Sequence, residues 1–298
     1  MDEEENIIGR REAVKKLREN IAKGRSTLLI GDIGVGKTHI LRAVAEPIER
    51  CIYVERIQPL KSALLETCKA LHDKELLHME GILVEYLNWE DVRKKINRLN
   101  VRDLTQLIVN NLKNTGYLVV LDHLESLTPS MVETVQILQE NLLVLGATNA
   151  IRPSDHLLRV WWKFDRIEVG RLNKEEGRKL LWQVADPDKI EDKRLFETVV
   201  LNHANGNPLS IVEMAECAKL EEIATASEIR ELRHRAGERY LDLTPFILLL
   251  GAFIVATRFV ALGLNNRDLY ILAGGSGAFF LVFRLYLHRM SKGKDDNV

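Results

Sequence analysis

The sequence predicts an α/β body, a parallel sheet flanked by helices, followed by a helical unit and two transmembrane helices. Three observations lead there. Strand-length apolar runs alternate with stretches of helical period from residue 7 to about residue 171, strand-like runs then stop, and residues 245–287 hold only four charges (Arg258, Arg267, Asp268, Arg284) in 43 positions. The other 255 residues carry 81 of the 85 charges, so the mean hydropathy of -0.10 averages a charged body with an apolar tail. A composition 46% hydrophobic and 29% charged over 298 residues excludes a disordered or collagen-like polymer and leaves room for about two domains. With a net charge of -1, no global attraction to nucleic acid is implied.

Strands are expected at 26–30, 51–55, 117–121, 142–146 and 166–169, and the Leu-, Lys- and Glu-rich stretch 59–114 reads as helical. After Arg171 short helices follow, the first opened by Asn173 with Glu176 three residues on, the spacing of a reciprocal capping box. This sets the expected organisation as a core at 1–171, a helical lid and juxtamembrane segment at 172–243, a hairpin at 244–287 and a tail at 288–298. Cys51, Cys68 and Cys217 are odd in number and form no Cys-x-x-Cys pair, which points to a reducing compartment. The start, Met1-Asp2-Glu3-Glu4-Glu5, is acidic where a secretory signal would be basic and then apolar, so the body is expected in the cytosol.

The most specific feature is Gly31-Asp32-Ile33-Gly34-Val35-Gly36-Lys37-Thr38, which satisfies G-x-x-x-x-G-K-[ST] at every fixed position. An apolar strand leads in and a helix leads out, so the loop's N–H groups and the helix N-terminus face one anion. Glycines let the backbone approach phosphate, Lys37 supplies charge to the β and γ groups, and Thr38 offers its hydroxyl to Mg²⁺. Such a loop needs a carboxylate from a neighbouring strand, and the run Tyr117-Leu118-Val119-Val120-Leu121 ends in Asp122, the expected second magnesium residue. His123 follows, where a water-polarising Glu is common. A neutral His123 can take the proton, and Glu125 or Glu133 are the other carboxylates near enough in sequence. ATP and Mg²⁺ are thus the expected ligands, with turnover or a nucleotide-held switch both open.

These residues resemble those of the AAA+ superfamily, in particular the branch of origin-recognition-type, archaeal and STAND signalling ATPases, over about residues 6 to 220. Ile7-Ile8-Gly9-Arg10-Arg11-Glu12 is similar to the segment that contacts adenine there, with Gly9 and Arg10 matching. The run 142–149 resembles the sensor strand, and Asn149 stands where the resemblance implies a contact to the γ-phosphate or attacking water. Gly206-Asn207-Pro208-Leu209-Ser210-Ile211 resembles the Gly-x-Pro segment of STAND lids, which implies that Pro208 packs near the base; a plain helix start would read the same way. The lid lacks the second-sensor arginine. Arg152 and Arg159 are either trans-acting fingers of a homo-oligomer or solvated charges. Arg93, Lys94, Lys95 and Arg98 read as a solvated basic face, and Trp161 and Trp162 as plugs of the sheet edge or the seam between core and lid.

Residues 244–264 and 269–287 are each long enough as helices to span hydrocarbon, about 30 Å, with the polar turn 265–268 between them. Arginines before the first span and Arg289, Lys292 and Lys294 after the second outnumber Arg267 in the turn, so both ends should face the cytoplasm. The expected protein is a membrane-anchored AAA+/STAND-like ATPase, slow in turnover, partnered by the lipid bilayer. The rivals are a non-hydrolysing nucleotide-gated scaffold, a membrane effector, and a membrane-tethered DNA-handling ATPase.

Overall fold

In a computed structural model, residues 7–79, 84, 87–151, 155–220, 225–232, 244–264, 267–268, 270–272 and 275–276 are described. The chain divides into two units, Met1–Glu238 and Arg239–Val298.

The first unit is built on β1 (Thr27–Ile30), β2 (Cys51–Val54), β3 (Leu118–Leu121), β4 (Leu143–Thr148) and β5 (Asp165–Glu168), in the order β2-β3-β4-β1-β5 with every pair parallel. The inner strands β1, β3 and β4 are buried on both faces and read as near-continuous apolar runs, while the edge strands β2 and β5 are buried only in part; all five lie within about two residues of their expected places. Side chains alternate between two cores. Leu118 and Val120 point to the layer of α1 (Arg11–Ala22) and α2 (Lys37–Ala45), while Val119 and Leu121 point to the layer of α3 (Leu60–Asp73), α5 (Val101–Leu112) and α6 (Val132–Asn141).

The stretch expected to be helical from 59 to 114 is broken. Glu75 adopts a left-handed conformation after α3, and α4 (Trp89–Ile96) and α5 each begin afresh on an asparagine cap, Asn88 accepting from the Asp91 N–H at 3.0 Å and Asn100 from Asp103 at 2.8 Å. Trp161, at the end of α7 (Asp155–Trp161), is buried in the larger core. Trp162 is 72% exposed and plugs nothing, because it lies one residue round from the buried face.

Beyond β5, α8 (Lys174–Val184), α9 (Lys193–Ala204), α10 (Pro208–Leu220) and α11 (Ala226–Glu231) enclose a separate core of Leu181, Phe196, Val200, Ile211 and Met214. Burying a side chain such as Phe196 contributes about 1.5–3 kcal/mol. The Asn173/Glu176 capping box forms with both bonds at 2.9 Å.

The second unit contains α12 (Thr244–Gly263), a 20-residue helix over the first expected span. Among the described residues no helix is long and apolar enough to cross a membrane. Within the expected transmembrane hairpin, the side chains at 244–248, 250, 254 and 258 and most of 269–287 lie outside the described residues. Residues 265–266 of the expected turn also lie outside them, while 267–268 are helical.

Candidate functional site

The strand order sets the site. Placing β1 beside β4, and β4 beside β3, brings the loop after β1, Asn149 after β4 and Asp122 after β3 to one edge of the sheet, at the carboxyl ends of the strands. The loop turns through Gly34 and Gly36 at φ +81° and +93°, a region that side-chain-bearing residues adopt at a cost, and α2 then starts at Lys37. The first N–H groups of that helix have no partner within it and are donors for an anion.

Lys37 is buried, 8% exposed, and its ammonium is fully engaged. Nζ donates to the Gly31 carbonyl at 2.8 Å, the Asp32 carbonyl at 2.9 Å and Asn149 Oδ1 at 2.9 Å. Burial pulls its pKa below the ordinary lysine value, and the charges of Glu125, Asp122 and Asp32 oppose that shift. Asp122 is 2% exposed. Its Oδ1 accepts from the His123 N–H at 2.8 Å and its Oδ2 from the Tyr53 hydroxyl at 3.0 Å, so acceptor capacity remains on a carboxylate with about four lone-pair sites.

His123 sits in the left-handed region at φ 56°, ψ 43°. Its Nδ1 is 2.9 Å from Glu125 Oε1 and its Nε2 4.0 Å from Asp122 Oδ2. An ionised carboxylate can only accept, so Nδ1 carries the hydrogen, and in the neutral ring Nε2 holds the lone pair. Glu133 instead pairs with Arg102 at 3.9 Å and does not line the cavity, which removes it as an alternative to Glu125.

The helical subdomain closes the other side. Asn207 Nδ2 donates to the Ile33 carbonyl at 2.9 Å, the Leu209 N–H donates to the Gly34 carbonyl at 3.2 Å, and Arg171 reaches Asp32 Oδ2 through Nε and Nη2, both at 3.2 Å. Arg10 Nη2 donates to the Val35 carbonyl at 2.9 Å; burial lowers the Arg10 pKa, partly countered by the charge of Glu176.

Together these elements enclose a cavity of about 640 Å³. Its lining includes the polar Lys37, Thr38, Asp122, His123, Glu125 and Asn149 and the apolar Ile7, Ile8, Leu172, Leu180, Leu209 and Val212. Of the expected site residues, Arg10, Ile33, Gly34, Val35, Gly36 and Pro208 also line it. Gly31 and Asp32 face a neighbouring hollow of about 460 Å³ with Arg166 and Arg171, and Gly9 abuts Leu172 and Glu176 instead of the cavity. Arg159 is exposed on α7, and Arg152 lies outside the described residues.

Solved structures share this architecture. The Aeropyrum pernix ORC1 protein, determined in complex with DNA, matches 90% of this chain with 77% of its own at 18% identity and a TM-score of 0.55. The Walker-type ATPase PABY2304 of Pyrococcus abyssi matches 89% with 78% of its own at 14% identity and a TM-score of 0.52. What the likeness shows is the fold, a five-stranded parallel sheet flanked by helices. No protein-family model matches the chain, and no curated protein matches it in sequence.

Sequence reasoning missed the roles of Tyr53, Leu180, Asn207 and Val212. Tyr53 touches Asp122 because of the β2–β3 register, Asn207 meets the loop at the Ile33 carbonyl, and Leu180 and Val212 line the cavity from α8 and α10. Only Asn207 carried a local signal, standing directly before a helix-starting proline.

Proposed function

We propose that the chain binds Mg²⁺-ATP in this cavity and hydrolyses it slowly, using the contact between the helical lid and the phosphate loop as a conformational switch. The carrying observation is convergence. An ammonium and a hydroxyl from the start of α2, a buried carboxylate after β3 and a sensor-like amide after β4 line one cavity that apolar side chains also line. The donor set fits the ligand: Lys37 and the N–H groups at the start of α2 would hold the phosphates, Thr38 and Asp122 the magnesium, and Ile7, Ile8, Leu180, Leu209 and Val212 the base. When bound, Mg²⁺ neutralises charge that develops on the phosphoryl oxygens.

This chain's own residues supply the rest. Lys37 already sits among three oxygen acceptors, so an arriving phosphate exchanges with carbonyls and Asn149 for the ammonium. Its release leaves Asn149 to orient a water or a phosphoryl oxygen. Glu125 holds the His123 ring with Nε2 available to accept a proton from that water. The deciding experiment is ATP binding and turnover by wild type, Lys37→Ala and His123→Ala. Binding and cleavage by wild type, with both lost in Lys37→Ala, is expected. Binding without cleavage by wild type leaves the nucleotide-held scaffold, and no binding ends the proposal.

Membrane attachment belongs to the same reading. Leu249, Phe253, Val255, Phe259, Val260, Leu262 and Leu264 are all exposed large apolar residues on and just after α12, and residues 269–287 continue the apolar sequence. We place both chain ends on the cytoplasmic side from the Lys/Arg count. Flotation of the full chain with liposomes, lost on truncation after residue 243, tests it. DNA handling is the second reading, suggested by the ORC1 protein being bound to DNA, and DNA-stimulated turnover would be its sign.

A further inference from the structure

The carboxylate of Asp122 is held from outside the phosphate loop by a residue on the edge strand. β2 and β3 run in register with Tyr53 opposite Val120 and Val54 opposite Leu121, and the Asp122 N–H donates to the Val54 carbonyl at 3.0 Å. Because side chains alternate along a strand, Tyr53, Val120 and Asp122 share one face of the sheet. The phenol lies diagonally beneath the carboxylate, a separation that a tyrosine can bridge, and its hydroxyl donates to Asp122 Oδ2 at 3.0 Å.

The ring is itself located from both sides. The Arg42 guanidinium lies over it at 5.9 Å from the ring centre, and Arg42 Nη2 is 2.6 Å from Glu55 Oε1 just beyond the end of β2. Thus α2, which begins at Lys37, and β2 clamp the tyrosine, and the tyrosine clamps the aspartate.

Resting on the Mg²⁺-ATP reading, we infer that Tyr53 is the positioning residue of the magnesium carboxylate. With Oδ1 taken by the His123 N–H and Oδ2 by the Tyr53 hydroxyl, the carboxylate plane is set from two directions. Its remaining lone pairs then face the cavity that Asp122 lines. Without the phenol the carboxylate keeps its charge and loses one of the two bonds that orient it. Outer-shell partners of this kind affect metal affinity about 10–100-fold when removed.

The test titrates Mg²⁺ against binding of a fluorescent ATP analogue, with the same binding measured in EDTA, for full-length wild type, Asp122→Asn and Tyr53→Phe. The phenylalanine keeps the ring under Arg42 and removes only the hydroxyl. Expected is an increase of about tenfold in the Mg²⁺ concentration at half-maximal binding for Tyr53→Phe, with binding in EDTA unchanged. Arg42→Lys, which alters the clamp while leaving the hydroxyl, should give a smaller increase in the same direction. Wild-type Mg²⁺ dependence that Asp122→Asn abolishes and Tyr53→Phe leaves unmoved overturns the role of Tyr53 while the binding-site reading stands. Equal losses with and without Mg²⁺ in Tyr53→Phe assign the residue to packing and also overturn it. No analogue binding by wild type removes the underlying reading, and this inference with it.

Discussion

Lys37 and Asn149 are joined across 112 residues by a 2.9 Å bond from Nζ to Oδ1, which ties the start of α2 to the end of β4. The ammonium is thereby satisfied before any ligand arrives. Asn149→Ala should lower the stability of the nucleotide-free chain by about 1.5–3 kcal/mol, the worth of a hydrogen bond to a charged group. ATP affinity should change little, because one competitor for the ammonium is gone. Thermal unfolding with and without ATP checks both parts, and a variant that unfolds as wild type does while losing ATP affinity contradicts them.

Asn207 is fully buried where α10 begins, and it holds the Ile33 carbonyl. Its Oδ1 also accepts from the Leu209 N–H at 3.1 Å. Asn207→Ala removes a cap and a contact between subdomains in one step, for an expected loss of about 1–3 kcal/mol. Amide exchange should quicken at residues 33–35 more than in β3. Uniform quickening across the sheet would show a global effect instead.

Gly206 has φ +74°, and a β-carbon there would lie 2.3 Å from the Leu172 carbonyl oxygen, a backbone atom that cannot swing aside. Gly206→Ala is expected to cost more than about 2 kcal/mol and to loosen α8 from α10. A melting temperature within a degree of wild type would count against this account of the turn.

The left-handed backbone of His123 makes its replacements unequal. Glycine relieves the conformation and should leave stability within about 0.5 kcal/mol, whereas β-branched valine should cost at least about 1 kcal/mol more. Chemical denaturation of His123→Gly and His123→Val, compared at matched pH, decides the point.

The Cys68 thiol is buried in the larger core and pushed up to about 12. A folded-state pKa above the unfolded value means that the folded chain keeps its proton longer. The contribution is complete below the unfolded value, near pH 8.5–9, and is lost as pH rises from there toward 12. Within that window stability should fall by up to about 1.4 kcal/mol per pH unit, and Cys68→Ala should flatten the fall. In thiol labelling of the native chain at pH 8, exposed Cys217 should react first and Cys68 only on unfolding.

The parts of this architecture legible in sequence are those written by local pattern. The buried inner strands produced apolar runs, Asn173 and Glu176 announced their helix, and the phosphate loop fell between strand and helix where its chemistry requires. Position in three dimensions was less visible. Tyr53 looks like an ordinary strand aromatic until the register with β3 puts it under Asp122, and Leu180, Leu209 and Val212 of the apolar lining come from α8 and α10, more than 140 residues beyond the loop. Glu133 looked as available as Glu125, yet the short 3-10 turn Leu124–Ser126 and the start of α6 carry it to Arg102. Trp161 and Trp162, identical in composition, were separated by a single step of helical rotation.

The lid touches the phosphate loop through main-chain carbonyls, Ile33 receiving Asn207 and Gly34 receiving Leu209, so the contact survives most side-chain changes in the loop and depends on its path. Binding on either side of that seam is therefore reciprocal. A partner that grips α8–α11 and favours one arrangement of the seam by a given factor changes the affinity for whatever occupies the loop by that same factor, and the occupant returns it to the partner.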